Sequence, residues 1–369
     1  MATSLLAVLY AAVVAAAVFH WRRLPAASGA APENPPPSLT VVVAARNEAQ
    51  RIGACLHSIL QNRYPADRLE VLVADDHSTD GTAAIIEGFA QQGVRRLALP
   101  EAVSGKKAAL AAGIAVARGA WIVCTDADCT VPPAWLRGVA HAVQTRGASA
   151  LAGPVLLDPA GTLWERFQAL DGIGTMVLTG AGFQSGNLLL GNGAHLAFSR
   201  IAFENAGGYA FGASYASGDD LFLLHRIARS HPRGVHFLKN AALAVRTAPE
   251  PTVSAFVRQR LRWATKNAAL PHGPTRLVAA VAWLFCWLLL VLPVVSVWSS
   301  GFRLPAALAW MVKMAADFSL LYTGCRFFGQ TRLLRAFFPA QLLHVLYIAG
   351  VGTAGLFVRR YWWKGRKVR

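Results

Sequence analysis

The chain places long apolar stretches at its two ends and a middle of short apolar runs separated by amphipathic ones. Ala2 to Trp21 is apolar and long enough to cross a bilayer as a helix. Pro25 to Ser38, rich in Pro and Ala, predicts a linker with neither helix nor strand. From Leu39 the pattern changes. Leu39–Ala45, Leu69–Ala74, Val94–Leu99 and Trp121–Thr125 are apolar runs of strand length, and Arg51–Gln61, Gly81–Gln91 and Lys106–Arg118 between them read as helices. Buried strands alternating with helices predict an α/β domain built on a mostly parallel sheet with flanking helices. Ligands of such sheets sit beyond the carboxyl ends of the strands.

Towards the C-terminus the helical period returns. Thr252 to Leu270 is amphipathic and carries Arg258, Arg260, Arg262 and Lys266, which predicts a helix lying on a membrane surface. Leu277–Trp298 and Phe337–Val358 are transmembrane candidates. Leu304–Gly324 lies between them and is interrupted by Lys313 and Asp317, whose i,i+4 spacing allows them to pair. The expected organisation is an anchor over 1–21, a linker over 22–38 and a catalytic domain over 39–250. An interfacial helix over 251–276 then leads to a membrane region of two to three helices with a basic tail over 277–369.

Composition supports the membrane reading. Of 369 residues, 54% are hydrophobic and 15% charged, and Lys+Arg number 36 against 19 Asp+Glu, a net charge of +17. The mean hydropathy of +0.39 is too apolar for an ordinary soluble domain. The basic residues cluster beside apolar segments: Arg22-Arg23, then Arg326, Arg332 and Arg335, then Arg359 to Arg369. That placement, without a nucleic-acid-binding signature, points to a lipid bilayer as partner and not to nucleic acid. Arg22-Arg23 on the far side of the first segment predict an uncleaved anchor in the inner membrane, with the catalytic domain cytosolic. Three further crossings would put the basic tail outside, so Leu304–Gly324 is expected to be re-entrant or interfacial. Cys55, Cys124, Cys129, Cys286 and Cys325 are odd in number and form no CxxC, which predicts reduced thiols.

Chemistry-bearing residues gather at the predicted strand ends. Asp75-Asp76 closes one strand and leads into His77-Ser78-Thr79-Asp80-Gly81. These are turn and helix-capping residues, and a carboxylate there can also meet a base or ribose. Asp126-Ala127-Asp128 follows the next strand but one. It reads as an acidic turn or as two carboxylates facing a hard divalent cation. Ser104-Gly105-Lys106-Lys107 starts a helix where phosphate can bind, or presents solvated lysines. Gly218-Asp219-Asp220 opens another helix as an acidic cap or a general base. Gln259, Arg262 and Trp263 share one helical face, suited to a diphosphate and a sugar ring or to an interfacial anchor. His195 and His225 lie within elements and read as structural.

In their order and spacing, Val41-Val42-Val43-Ala44-Ala45-Arg46-Asn47-Glu48, Asp75-Asp76, Asp126-Ala127-Asp128, Gly218-Asp219-Asp220 and Gln259-Arg260-Leu261-Arg262-Trp263 resemble the motifs of membrane-bound, inverting glycosyltransferases of family 2. The signature is similar to that of cellulose, chitin and hyaluronan synthases and of ceramide-glucosyltransferase-like enzymes. The resemblance covers roughly Leu39 to Asn267. It implies a GT-A nucleotide-sugar-binding fold with N- and C-terminal transmembrane helices, and a single displacement with inversion. It further implies nucleotide-sugar contacts at Ala45, Asn47, Glu48, Asp76, Lys106 and Asp126, and a metal, Mg²⁺ or Mn²⁺, on Asp128. Asp220 takes the role of general base beside Asp219, and Gln259, Arg262 and Trp263 serve the diphosphate and acceptor. Gly191-Asn192-Gly193-Ala194 resembles the acceptor-side segment. His77 departs from the family's usual Gly or Asn, and Asp219 from its usual Glu. The donor is expected to be UDP- or GDP-linked, and the acceptor a lipid or glycan. With few membrane helices, transfer of one sugar to a lipid or membrane-associated acceptor is expected. A processive polysaccharide synthase or a catalytically silent nucleotide-sugar-binding membrane protein are the alternatives.

Overall fold

Helix α1 (Ala2–Arg23) opens the chain. After the linker come β1 (Leu39–Ala45), α2 (Ile52–Leu60), β2 (Leu69–Asp75), α3 (Thr82–Glu87), β3 (Val94–Ala98), α4 (Lys106–Val116) and β4 (Trp121–Asp126). This is the alternation that the apolar runs predict, with ends shifted by a few residues. Only the helix expected over Gly81–Gln91 is much shorter. It stops at Gly88, a weak helix former, and a separate 3₁₀ turn follows at Ala90–Gln92. Next are β5 (Cys129–Thr130), α5 (Trp135–Thr145), β6 (Ala150–Ala152), β7 (Val155–Leu157) and the long α6 (Leu163–Ser185). They are followed by β8 (Leu196–Ser199), α7 (Arg200–Asn205), α8 (Asp219–Ser230), β9 (Val235–Phe237) and β10 (Val245–Thr247). The chain closes with α9 (Val253–Asn267), α10 (Gly273–Trp298), α11 (Arg303–Phe327), α12 (Phe337–Phe357) and a hairpin of β11 (Tyr361–Trp363) with β12 (Arg366–Val368). The computed structural model describes residues 2–30, 32–159, 161–187, 190–209, 219–267, 273–357, 361–363 and 366–368.

These elements form two units that do not follow the chain. An α/β unit comprises 25–156 and 189–248, and a helical unit comprises 1–24, 157–188 and 249–369. Residues 157–188, which the sequence groups with the catalytic domain, therefore belong with the membrane-type helices.

The α/β unit is built on a seven-stranded sheet of order β3-β2-β1-β4-β8-β6-β9. Pairing is parallel from β3 through β4, and β8 is antiparallel to both neighbours. Six of the seven residues of β1 are buried, as expected of a central strand covered on both faces. Its register sets Ala45 opposite Asp75 on one side and Ala44 opposite Asp126 on the other. Three motif residues thus come to one edge of the sheet through backbone pairing alone. A second sheet, β5-β10-β7, runs beside the turn that holds Asp128. The linker is tied down where the Ala27 N–H donates to the Lys239 carbonyl at 2.9 Å.

In the helical unit, Thr162 and Glu165 close a capping box at the start of α6. Its glycines allow close crossings: a Cβ on Gly180 would lie 2.5 Å from the Trp21 ring of α1. A Cβ on Gly324 of α11 would meet Ile173 of α6 at the same distance. Among the described residues four helical stretches are long and apolar enough to cross a membrane: Thr3–Arg23, Gly273–Trp298, Ser300–Phe327 and Thr331–Phe357. Leu304–Gly324, expected to be re-entrant or interfacial, lies within α11, which runs unbroken for 25 residues and so contains no re-entrant turn. The polar residues that suggested the break are internal instead. Lys313 is buried and bonds Asp317 one turn on, and Asp317 accepts a hydrogen bond from the Tyr10 hydroxyl of α1 at 2.5 Å.

The amphipathic helix expected over Thr252–Leu270 is α9, and residues 268–270 lie outside the described residues. Arg260 does not share its basic face. It is 4% exposed and pairs with Asp171 of α6 at 2.7 Å.

Candidate active site

The edge of the α/β sheet where β1, β2 and β4 end carries most of the predicted site. Each carboxylate there has a different set of partners. Asp75 is buried and structural: it accepts the Ser78 N–H at 3.1 Å and forms an ion pair with Arg96 at 3.1 Å. Asp76, 1% exposed, accepts the Gly105 N–H at 3.0 Å, and Arg46 lies 3.8 Å from its other oxygen. Arg46 also donates to the Asp76 carbonyl at 2.6 Å. Asp76 thereby joins the β1, β2 and β3–α4 loops.

The β1 loop residues act as a clasp on the next loop. Asn47, at φ 51°, accepts the Thr79 N–H at 2.8 Å through its side chain and donates its own N–H to Ser78 Oγ. The Glu48 N–H donates to Thr82 Oγ1 at 2.8 Å. Ala45 is buried, and its carbonyl accepts the Asp76 N–H at 2.8 Å. His77 stands at φ 55°, the left-handed region that Gly and Asn occupy most readily and His more readily than most side chains. Its ring bonds the Val103 carbonyl at 2.9 Å, so it ties down the same β3–α4 loop that Asp76 holds.

Gly105 precedes α4 at φ 99° and ψ 154°, a conformation open in practice only to glycine. The turn delivers Lys106 to the first position of α4, with its ammonium 2.5 Å from Asp126 Oδ1. Asp128, two residues on, has Arg51 at 3.6 Å. Burial raises the Asp128 carboxyl above its ordinary value; Asp126 and Glu48 add to the rise, while Lys106 and Arg51 oppose it. Beneath the turn, the Cys55 thiol lies 3.5 Å from the Asp126 carbonyl. Burial, together with the acids above it, pushes that thiol far above the usual range, so it is an inert packing residue.

Asp220 reaches this edge from α8. Its Oδ2 accepts the Gly193 N–H at 2.9 Å and its Oδ1 accepts the Leu221 N–H at 2.8 Å. A Cβ placed on Gly193 would lie 3.8 Å from Asp220 Oδ2 and 3.8 Å from Lys106 Nζ. The predicted base and the phosphate-side lysine therefore flank one point. The buried Cys124 thiol senses the whole cluster. Burial pushes it up to about 12, Asp126 and Asp220 add to the rise, and Lys106 opposes it. Gly218 and the Asp219 side chain lie outside the described residues.

Among the described residues no three His, Cys, Asp or Glu side chains are grouped as a metal cage. Two neighbouring carboxylates, Asp126 and Asp128, would suit a hard cation that prefers oxygen ligands. Soft or nitrogen-preferring metals are not suited to this donor set.

The last predicted motif is in the helical unit. Gln259 donates to Glu250 Oε1 at 2.8 Å. Trp263 is 38% exposed and lies over the Arg260 guanidinium, 4.2 Å from ring centroid to carbon. Arg262 is half-buried on the same helix. Sequence reasoning gave no individual role to Arg46, Glu250 or Asp171, and it did not pair Asp171 with Arg260 or the Gly193 amide with Asp220. The one charge within the otherwise uncharged 167–182 stretch was the available signal for Asp171. His195 is structural as expected. It is fully enclosed, bonds the Pro154 carbonyl at 3.0 Å, and burial lowers its imidazole to about 4.

Comparison with known proteins identifies the family and the fold. Residues 40–197 match the family described as Glycosyl transferase family 2, and residues 121–328, more than half the chain, match Glycosyl transferase family group 2. The beta-monoglucosyldiacylglycerol synthase of Synechocystis sp. is 34% identical over 238 residues, 61% of this chain and 46% of that protein. The probable glycosyltransferase YdaM of Bacillus subtilis is 29% identical over 237 residues, 62% of this chain and 55% of that protein. The chain spans about half the length of these curated relatives. Among solved structures, the mannosyltransferase PcManGT of Pyrobaculum calidifontis, in complex with GDP-Man and Mn²⁺, superposes with a TM-score of 0.60 at 21% identity. The superposition covers 96% of this chain and 99% of that one and shows a shared GT-A fold. On these matches the chain belongs to glycosyltransferase family 2.

Proposed function

We propose that this protein transfers one sugar from a nucleoside-diphosphate sugar, UDP- or GDP-linked, to the hydroxyl of a lipid or membrane-associated acceptor, with inversion. The observation that carries the reading is the position of Asp220, fixed by the Gly193 amide beside the Lys106–Asp126 pair. A carboxylate there can take the proton of an attacking hydroxyl on one side of the anomeric carbon while a diphosphate leaves on the other.

The chain's own residues divide the work. Asp76, with Arg46 and Gly105, shapes the base pocket. Asp126 and Lys106 face the sugar diphosphate, and the ammonium balances charge as the nucleotide departs. Asp128 with Asp126 would hold Mg²⁺ or Mn²⁺, which when bound neutralises the leaving diphosphate. Gln259, Arg262 and Trp263 serve the diphosphate and the acceptor. The Mn²⁺ and GDP-Man named for the mannosyltransferase support the donor and metal, and the diacylglycerol in the name of the cyanobacterial relative supports a lipid acceptor.

Arg22-Arg23 after the first candidate span, and Arg326, Arg332 and Arg335 at the junction of the last two, support a multi-pass inner-membrane protein whose α/β unit faces the cytosol, while the basic tail over 359–369 runs against a fourth full crossing. The test is nucleoside diphosphate release by the full chain in lipid, with a panel of nucleotide-sugars, Mg²⁺ or Mn²⁺, and native lipid extract. Turnover should require metal and lipid and should fall about 10²–10⁴-fold in Asp220→Asn, the usual contribution of a general base. Binding of a donor without any release in the unchanged protein would refute the catalytic reading.

A further inference from the structure

Within the helical unit, residues of α1, α6, α10, α11 and α12 line a cavity of about 200 Å³. Most of its wall is hydrocarbon, for example Val14, Val281 and Leu320. Set into that wall are Tyr10, Asp171, Asp317, Gln341, His344 and Tyr347. An apolar cavity with a few convergent polar groups is the form of a small-molecule site, and polar residues inside apolar bundles are costly enough to call for a reason.

The charges around the cavity show what it can accept. Asp171 is paired with Arg260, whose guanidinium also lies over the rings of Phe256 and Trp263. Asp317 is paired with Lys313 and accepts the Tyr10 hydroxyl. Lys313 also donates to Gln341 Oε1 at 3.0 Å and reaches His344 Nδ1 at 3.3 Å, so all three of its N–H bonds have acceptors. Each acid on the wall is thus neutralised by a cation behind it. No Lys or Arg is among the described lining residues. A phosphate placed here would meet two carboxylates and no cation of its own, an arrangement that strongly disfavours it. Neutral oxygens are suited to the same wall, because the Gln341 amide and the Tyr347 hydroxyl supply donors.

We infer that this cavity holds part of the acceptor and that the acceptor is an uncharged glycerolipid of the diacylglycerol type. Its hydrocarbon lies against the apolar wall, and its ester oxygens meet the polar groups. This rests on the reading of the chain as a transferase to lipid.

The experiment uses the purified full chain in nanodiscs and a diacylglycerol carrying a diazirine in one acyl chain, with labelled peptides mapped by mass spectrometry. Labelling is expected on the α6 and α11 segments that line the cavity. Excess dioleoylglycerol should compete and undecaprenyl phosphate should not. Ala282→Phe, which adds a ring at the cavity wall, should lower labelling by at least about tenfold, the scale on which apolar pockets discriminate. It should leave UDP or GDP binding unchanged.

Labelling confined to outward helix faces without competition, or competition by undecaprenyl phosphate in preference, would overturn the inference. Competition in the unchanged protein decides this whether or not the variant folds. Transfer to lipid without cavity labelling would sink the site and leave the transferase standing. Cavity labelling without transfer from any donor would leave a neutral-lipid site and overturn its role as the acceptor site.

Discussion

The Gly193 N–H donates to Asp220 Oδ2 at 2.9 Å, and the side-chain space of that glycine lies between Asp220 and Lys106. The absence of a side chain at 193 therefore keeps open the position where base, sugar and diphosphate would meet. A methyl there would make contacts of ordinary length, so Gly193→Ala should fold with its thermal midpoint almost unchanged. Its kcat/KM should nevertheless drop by about tenfold or more, as expected when reacting groups are displaced by a fraction of an ångström. Full activity in this variant would mean that reactants do not use that space.

Lys106→Met removes the cation 2.5 Å from Asp126. A hydrogen bond to a charged group contributes about 1.5–3 kcal/mol. Donor affinity should accordingly weaken by about 10–100-fold. Calorimetric titration with the nucleoside diphosphate reads this directly, and an unchanged Kd would remove Lys106 from the donor site.

Gly105→Ala should cost about 1–3 kcal/mol, because a side chain is forced into φ 99°, ψ 154°. The cost should appear as a lower thermal midpoint together with weaker nucleotide binding, since the same residue donates to Asp76. A loss of stability with normal nucleotide affinity would show that the Asp76–Gly105 bond does not shape the base pocket.

His195 predicts a pH dependence of stability. Burial holds its imidazole at about 4, against an ordinary value near 6.5. Between these values the unfolded chain binds a proton that the folded chain does not, so stability is lost as pH falls from 6.5 towards 4. The loss from this group reaches about 3 kcal/mol at the acid end. Melting curves from pH 7.5 down to pH 4.5 should show the slope, and His195→Gln should flatten it. An equal slope in the variant would assign the dependence to other groups.

Arg260 and Asp171 form a buried pair at 2.7 Å. Either Arg260→Met or Asp171→Asn alone leaves an uncompensated charge and should destabilise by about 3–5 kcal/mol. The double variant should be more stable than either single one. Additive losses in a denaturation cycle would show that the two residues do not act as a pair.

Much of this was legible in the chain. The β1 to β4 alternation followed from apolar runs such as Val41-Val42-Val43, because strands covered on both faces must be apolar throughout. Asp76, Lys106, Asp126 and Asp220 were marked by their places at strand ends and helix starts. What one-dimensional reading could not supply was partnership. Arg260 looked like one of several surface cations because its acid, Asp171, is 89 residues away in another helix. Lys313 and Asp317 looked like a break in a membrane segment because their outside partners, Tyr10 and Gln341, come from the two ends of the chain. The segment around Gly193 was marked by resemblance, but its bond to Asp220 was hidden because backbone donors leave no trace in residue type.

The interruption of the α/β unit by residues 157–188 has a consequence for how the protein can be made and dissected. β4 pairs with β8 only after α6 has been synthesised between them. On the ribosome, the sheet must wait for a helix of the other unit before it can grow past β4. A fragment spanning 39–250 would carry α6 without the helices that cover Phe167, Leu170, Ile173 and Val177. Such a truncation should aggregate, whereas replacing 157–188 with a short polar loop should yield a soluble sheet.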